Sequence, residues 1–295
     1  MDFVNSMDKL WNKEVEKRFF NEAVKFCSPE QLFYITNDNK YLAYWPKGYE
    51  GEKSTLQSRN SLIGKFTEKW TADLLQNIIK DKGLYAVAGA ICEEIALTKM
   101  SPADVAISKN KNITQKPGDI LAIIEVKMSI VWNWEFKKDK TLLCVGDYKS
   151  HTGNPGLLRS DTMLKAIGKS INIRVSSFKA AKIPIIIMGN TPITDSYYFK
   201  VDQLKISGIV QDFWSVNPSP LDDGKENIKE TPKKGFYRLD NINELSDSFN
   251  VMLDEEQDFF SSMKNKKELG RIIELANKEN TYEKKAEMFL KLIRE

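Results

Sequence analysis

Histidine and cysteine are scarce in this chain: one histidine, His151, and three cysteines, Cys27, Cys92 and Cys144, in 295 residues. A zinc site built on several histidines is therefore excluded, and a His-based catalytic triad is disfavoured. An odd number of cysteines, unpaired in spacing, argues against a disulfide framework and against a thiolate metal site, so all three are read as reduced thiols. Apolar runs are short as well. None approaches the roughly 18 residues of a membrane span, and no basic segment followed by an apolar one opens the sequence, so neither a span nor a secretory signal is expected. A cytoplasmic location is the expectation. Charge of one sign is also lacking: 44 Lys plus Arg against 41 Asp plus Glu leave a net charge of +3. That excess does not establish a nucleic-acid partner, although it leaves room for a local basic surface. There is no internal repeat.

Composition is otherwise that of a globular protein, with 41% hydrophobic and 29% charged residues, and the length suits one large domain or two small ones. Residues 8–26 have helical spacing, with Leu10, Val15, Phe19 and Val24 apolar and Lys and Glu between them. Residues 32–44 are aromatic-rich, read as packing residues of a β-hairpin or an irregular N-terminal subdomain, and Trp45-Pro-Lys-Gly ends them as a turn. A second helix is expected over residues 61–80, carrying Leu62, Phe66, Trp70, Leu74 and Ile78, with Gly83 as its stop. A third is expected over residues 84–98, ended by Pro102.

The most informative stretch is residues 119–127, Asp-Ile-Leu-Ala-Ile-Ile-Glu-Val-Lys. Its period of two puts Leu121, Ile123, Glu125 and Lys127 on one side and Ile120, Ala122, Ile124 and Val126 on the other. Both sides are apolar for most of the length, as in a strand covered on both faces of an α/β sheet. Two charged groups of opposite sign at its end are costly there unless each has a partner or a task. If residues 109–118 turn the chain back near Thr114 and Gln115, Asp104 comes to lie opposite Glu125, at a Cβ separation of roughly 4.5–5.5 Å. Two carboxylates at that distance can share one cation. Asp119 is the rival acid, but six residues along one strand put it about 20 Å from Glu125.

Glu-Val-Lys at the end of a buried strand, with Asp104 upstream in Ser-Pro-Ala-Asp-Val-Ala-Ile, resembles the signature of the PD-(D/E)XK nuclease superfamily, and of type II restriction endonucleases within it. Here Ala103 separates Pro102 from the acid, so no literal Pro-Asp is present. The resemblance implies an α/β fold, a restriction-endonuclease-like core with a mixed central sheet flanked by helices. It implies catalytic roles for Asp104, Glu125 and Lys127, and Mg²⁺, one or two ions, on Asp104 and Glu125. In that family the helix before the first catalytic strand commonly lends a further carboxylate. Gly89-Ala-Ile-Cys-Glu93 is similar to such a helix, making Glu93 the candidate third ligand and Glu94 its alternative, with a solvated acidic pair as the plain reading.

Downstream, a loop over residues 145–159 rich in Gly, Ser, Asn and Pro leads to a helix over residues 159–177, with Ser160 or Asp161 as N-cap. Met163, Ile167, Ile171 and Val175 are its expected apolar stripe; Arg174 is placed on its surface. Lys149, His151, Arg159, Ser160, Lys165 and Lys169 are candidate DNA contacts, suited to phosphate at a helix start, against the plain reading of a charged solvent face. Residues 183–189 form another buried strand. The order resembles the αβββαβ core of the restriction-endonuclease fold if residues 129–136 or 141–145 supply the third strand. Helix and strand are added over residues 195–214.

By domain, the expectation is an N-terminal helix and aromatic-rich region over residues 1–60, a nuclease core over 61–216, a linker or loop over 217–240 and a helical region over 241–295, all within one compact domain or not. The function implied is Mg²⁺-dependent hydrolysis of phosphodiesters in double-stranded DNA by a type II restriction endonuclease, a homodimer if the target is palindromic. The alternatives are a nuclease of the same fold acting on structured or single-stranded DNA in repair, recombination or phage defence, and a non-catalytic DNA-binding module.

Overall fold

The computed structural model describes residues 9–52, 56–224 and 227–295. The expected start of the first helix at Asp8 lies outside them. In chain order the elements are α1 (Lys13–Ala23), α2 (Pro29–Leu32), β1 (Tyr34–Ile35), β2 (Tyr41–Leu42), α3 (Gln57–Ile79), β3 (Tyr85–Ala90), β4 (Ala103–Ser108), β5 (Ile120–Lys127), β6 (Asn133–Phe136) and β7 (Leu142–Gly146). There follow α4 (Ser160–Ser176), β8 (Ile185–Gly189), α5 (Tyr198–Ile206), β9 (Asp212–Ser215), β10 (Phe236–Arg238), α6 (Ile242–Asp254), α7 (Lys266–Ala276) and α8 (Tyr282–Arg294).

A mixed six-stranded sheet of order β10-β9-β8-β5-β4-β3, flanked by helices, forms the centre of an α/β architecture. One half, β3 to β5, is antiparallel; the other, β5 to β10 through β8 and β9, is parallel. Parallel neighbours need crossovers, and α4 and α5 supply them between β5, β8 and β9. Being interior, β5 is paired along both edges and covered on both faces. Ala122, Ile124 and Val126 join the apolar cluster that includes α1, α3 and α6; Ile123 joins the one that includes Ile173 of α4. Near its start the expected alternation inverts, because a bulge opposite Ile107 and Ser108 puts Ile120 with Ile123 and Leu121 on the opposite face.

The expected helix over residues 84–98 is a strand and a turn instead. Residues 85–90 pair with β4, from Tyr85 opposite Ser108 to Ala90 opposite Ala103, and residues 93–95 make a single 3₁₀ turn. Alanines favoured a helix locally, but pairing and burial on the sheet outweigh propensity. Gln76 of α3 fixes the start, its amide bonding Leu84 O and Ala86 N at 3.1 and 2.9 Å. Gly89 closes the question: its φ of +67° has no place in a right-handed helix. Leaving aside β6 and β7, which join another sheet, the order is thus helix, three strands, helix, strand (α3, β3, β4, β5, α4, β8), with the third strand before β4 rather than after β5.

The stretches expected to supply that strand, β6 and β7, build a separate antiparallel sheet of order β1-β2-β6-β7, in which β1 and β2 form the N-terminal hairpin. Glu16 of α1 ties it down. Fully buried, its carboxylate accepts from Trp11 Nε1, Val131 N, Trp132 N and Trp134 Nε1 at 2.6–3.2 Å. Burial nonetheless pushes its pKa up to about 7, since no cation is among its partners.

Residues 217–240 are more than a linker. They contain β10, and Asp202 anchors the approach to it by accepting from Thr231 Oγ1, Lys233 N and Gly235 N at 2.5–3.0 Å. Residues 241–295 carry three helices, α6, α7 and α8, separated by non-helical residues 255–265 and 277–281, with Leu245, Phe249 and Met252 of α6 buried. Cys27, Cys92 and Cys144 carry free thiols. Among the described residues, no helix is long and apolar enough to cross a membrane.

Candidate active site

The β4–β5 ladder pairs Val105 with Ile124, Ala106 with Ile123 and Ile107 with Ala122. One step further along this register, Asp104 stands across from Glu125, and its Oδ2 accepts from Val126 N at 2.8 Å. On the other side of β4, the β3 register sets Gly89 across from Asp104. With no side chain and nothing within 4 Å of where a Cβ would be, Gly89 leaves the space beside Asp104 open. Glu125 and Lys127 share one face of β5, and Lys127 Nζ lies 2.6 Å from Glu125 Oε1 and 3.2 Å from Asp104 Oδ2. The structure brings together the three residues named first from the sequence.

Two further charged side chains complete the cluster. Lys169 reaches in from α4: its Nζ is 3.2 Å from Asp104 Oδ1, 2.6 Å from Glu125 Oε2 and 2.7 Å from Pro102 O. Glu68 of α3 lines the same cleft, of about 460 Å³, with Met100, Ser101, Pro102 and Lys165. Sequence reasoning placed Lys169 among phosphate contacts and passed over Glu68. The available signal was that Glu68 is one of two acids, with Asp73, on the helix preceding the first strand, once that helix is taken as α3.

Electrostatics follow from burial and crowding. Burial raises the pKa of Glu125, and the Asp104 charge raises it further, against the pull of both lysines. Burial opposes charge on Lys127, but Glu125 and Asp104 outweigh it and its pKa is raised. Glu68 is raised too, first by burial and then by Asp104. Three acids, Glu68, Asp104 and Glu125, and three lysines, Lys127, Lys165 and Lys169, line the cleft.

The remaining candidates separate. Glu93 is exposed on the 3₁₀ turn after β3 and does not line the cleft; Glu94 pairs with Lys179. The expectation of a ligand there failed with the helix that was to carry it. Asp119 precedes β5, at the end remote from Glu125. His151 is corrected as a DNA contact: it is 2% exposed, stacked on Tyr44 with ring centroids 3.9 Å apart, and bonded to Val131 O and Gly153 N. Burial lowers its pKa to about 4 and keeps it neutral. Lys149, Arg159, Ser160 and Lys165 are exposed, Arg159 and Lys165 each paired with Asp161. The α4 N-cap is Arg159, without a side-chain cap. Arg174 is buried rather than on the surface, donating to Ala180 O, Ile183 O and Gly208 O.

Among the described residues, no three His, Cys, Asp or Glu side chains gather as a metal site by themselves. Mg²⁺ asks for less: one or two carboxylates, with water and phosphate in the other positions. Asp104 and Glu125 fit that demand. Glu125 Oε2 is buried with no aligned hydrogen-bond donor, and its close contact is the Lys169 ammonium at 2.6 Å, so a cation already stands where a metal ion would bind. No family model, curated protein or solved structure matches this chain.

Proposed function

We propose that the protein is a Mg²⁺-dependent endonuclease of the PD-(D/E)XK type, cutting double-stranded DNA as a type II restriction enzyme. The observation that carries this reading is the meeting of Asp104, Glu125 and Lys127 at one end of two paired, buried strands, within the order helix, three strands, helix, strand. That order, counted without β6 and β7, is compatible with the αβββαβ core of the restriction-endonuclease fold, and in this reading α3 takes the place of the helix that lends the further acid, with Glu68 as the residue for that role.

Asp104 and Glu125 would hold the metal, which when bound supplies polarisation of the phosphoryl oxygen and a more acidic water. Asp104 is oriented for this by Val126 N–H, and Glu125 by the Lys127 ammonium. In the metal-free site Glu125 and Asp104 favour the charged form of Lys127, and as a positive charge beside the phosphate it would orient water and offset charge that develops in the transition state. Arg159, Ser160 and Lys165, at the start of α4, would meet flanking phosphates.

The test is digestion of a fully sequenced plasmid with Mg²⁺ by wild type, Asp104→Ala, Glu125→Ala and Lys127→Ala. Discrete fragments from wild type alone are expected, with mapped ends giving the recognition sequence. Full activity in all three variants would reject the site. Cutting of branched or single-stranded DNA only would select a repair, recombination or defence nuclease; salt-sensitive duplex binding without cleavage under any divalent metal would select a binding module.

A further inference from the structure

The two lysines of the cleft divide four carboxylate oxygens between them. Lys127 Nζ contacts Asp104 Oδ2 and Glu125 Oε1; Lys169 Nζ contacts Asp104 Oδ1 and Glu125 Oε2. A divalent ion held by both carboxylates must therefore take oxygens from an ammonium. The lysines are not equal in this. Lys127 hydrogen-bonds both acids and also Val126 O at 3.1 Å, from a strand paired on both edges. Lys169 hydrogen-bonds Asp104 and Pro102 O, but its approach to Glu125 Oε2, though 2.6 Å, lacks hydrogen-bond alignment. It also comes from a helix whose preceding turn puts exposed Lys165 on the same cleft, so its ammonium has an open direction to move in.

We propose that Lys169 is the exchangeable cation of this site. Its ammonium neutralises Asp104 and Glu125 in the metal-free protein and prevents two buried carboxylates from repelling one another. It yields those oxygens to a divalent ion and turns toward the cleft, beside Lys165, where an anionic substrate group is met. Lys169 is thus a positioning residue that sets metal affinity by competition. This inference rests on the nuclease reading for the identity of the metal and the substrate.

The experiment uses the full chain without DNA and Mn²⁺ as the probe. Wild type and Lys169→Met are titrated with Mn²⁺ by calorimetry, and lysine acylation of wild type is mapped by mass spectrometry with and without saturating Mn²⁺. The expected results are binding at least tenfold tighter in Lys169→Met, and Lys169 acylation that rises severalfold with Mn²⁺ while Lys127 acylation does not. The labelling needs no variant, so it decides the matter if Lys169→Met misfolds. Mn²⁺ binding to wild type with Lys169 labelling unchanged would overturn this proposal and leave the nuclease reading standing. Absence of Mn²⁺ binding to both proteins would overturn the two together.

Discussion

Two buried groups of opposite type hold the segment that leaves the candidate site, and their effects on stability run in opposite directions with pH. Glu16 accepts from Val131 N at 2.6 Å, and His151 meets Val131 O at 3.1 Å. Burial pushes Glu16 up to about 7 from the ordinary carboxylate value, so the folded state holds a proton there that the unfolded chain has lost. Its contribution is complete at acid pH, below the unfolded carboxylate value, and is lost as pH rises toward 7. His151, lowered to about 4, does the reverse: its contribution is complete above the ordinary histidine value and is lost as pH falls toward 4. At about 1.4 kcal/mol per tenfold change in proton affinity, each effect amounts to roughly 3 kcal/mol.

Urea denaturation followed by tryptophan fluorescence, repeated from pH 4 to 8, separates the two through difference curves against wild type. Glu16→Gln should be less stable throughout, because one amide N–H₂ must face two of the four N–H donors. Its deficit should be greatest at pH 4 and shrink by roughly 3 kcal/mol by pH 7. His151→Phe, which keeps a ring on Tyr44 but leaves Val131 O and Gly153 N–H unpaired, should show a deficit that shrinks by a similar amount as pH falls from 6.5 to 4. Difference curves that are flat, or that slope in the same direction, would refute the reasoning.

Four other outcomes follow from the geometry. Gly89→Ala should cost about 1–2 kcal/mol in urea denaturation, through backbone strain at φ +67° rather than a clash, since nothing lies within 4 Å of the added carbon. Glu68→Gln should leave urea stability within about 1 kcal/mol of wild type and weaken metal-supported cleavage by about 10- to 100-fold, as loss of a supporting acid does at metal sites. Lys165→Ala should weaken binding to duplex DNA and reduce the slope of log affinity against log salt by about 1, measured by fluorescence anisotropy. Glu93→Gln should change neither cleavage nor metal affinity.

What could be read from the sequence was what a single element carries within itself. On β5, eight residues rich in Ile and Val announce burial, and Glu125 and Lys127 two apart announce charge on one face of it. The pairing that sets Asp104 against Glu125 was legible because an antiparallel turn relates positions by a simple sum. Gln115, whose amide bonds Ser108 Oγ and Asn112 O, holds the connecting loop where that sum requires. The bulge near Ser108 shows the limit of the rule, since one extra residue inverts the faces on one side of it and not on the other.

What was missed depends on contacts between elements. On α4 a strict repeat of four selects Met163, Ile167, Ile171 and Val175, but four residues advance a helix about 40° beyond a full turn, so such a row winds off the buried face. The face that packs is Met163, Ala166, Ser170 and Ile173, leaving Val175 73% exposed. Lys169 sits beside that packed face, which is why it reaches the carboxylates instead of solvent. Glu68 and Lys169 come from helices in different parts of the sequence, and only the sheet between them defines the cleft they share. The acidic pair required a strand and a turn; the charges that surround it required the whole fold.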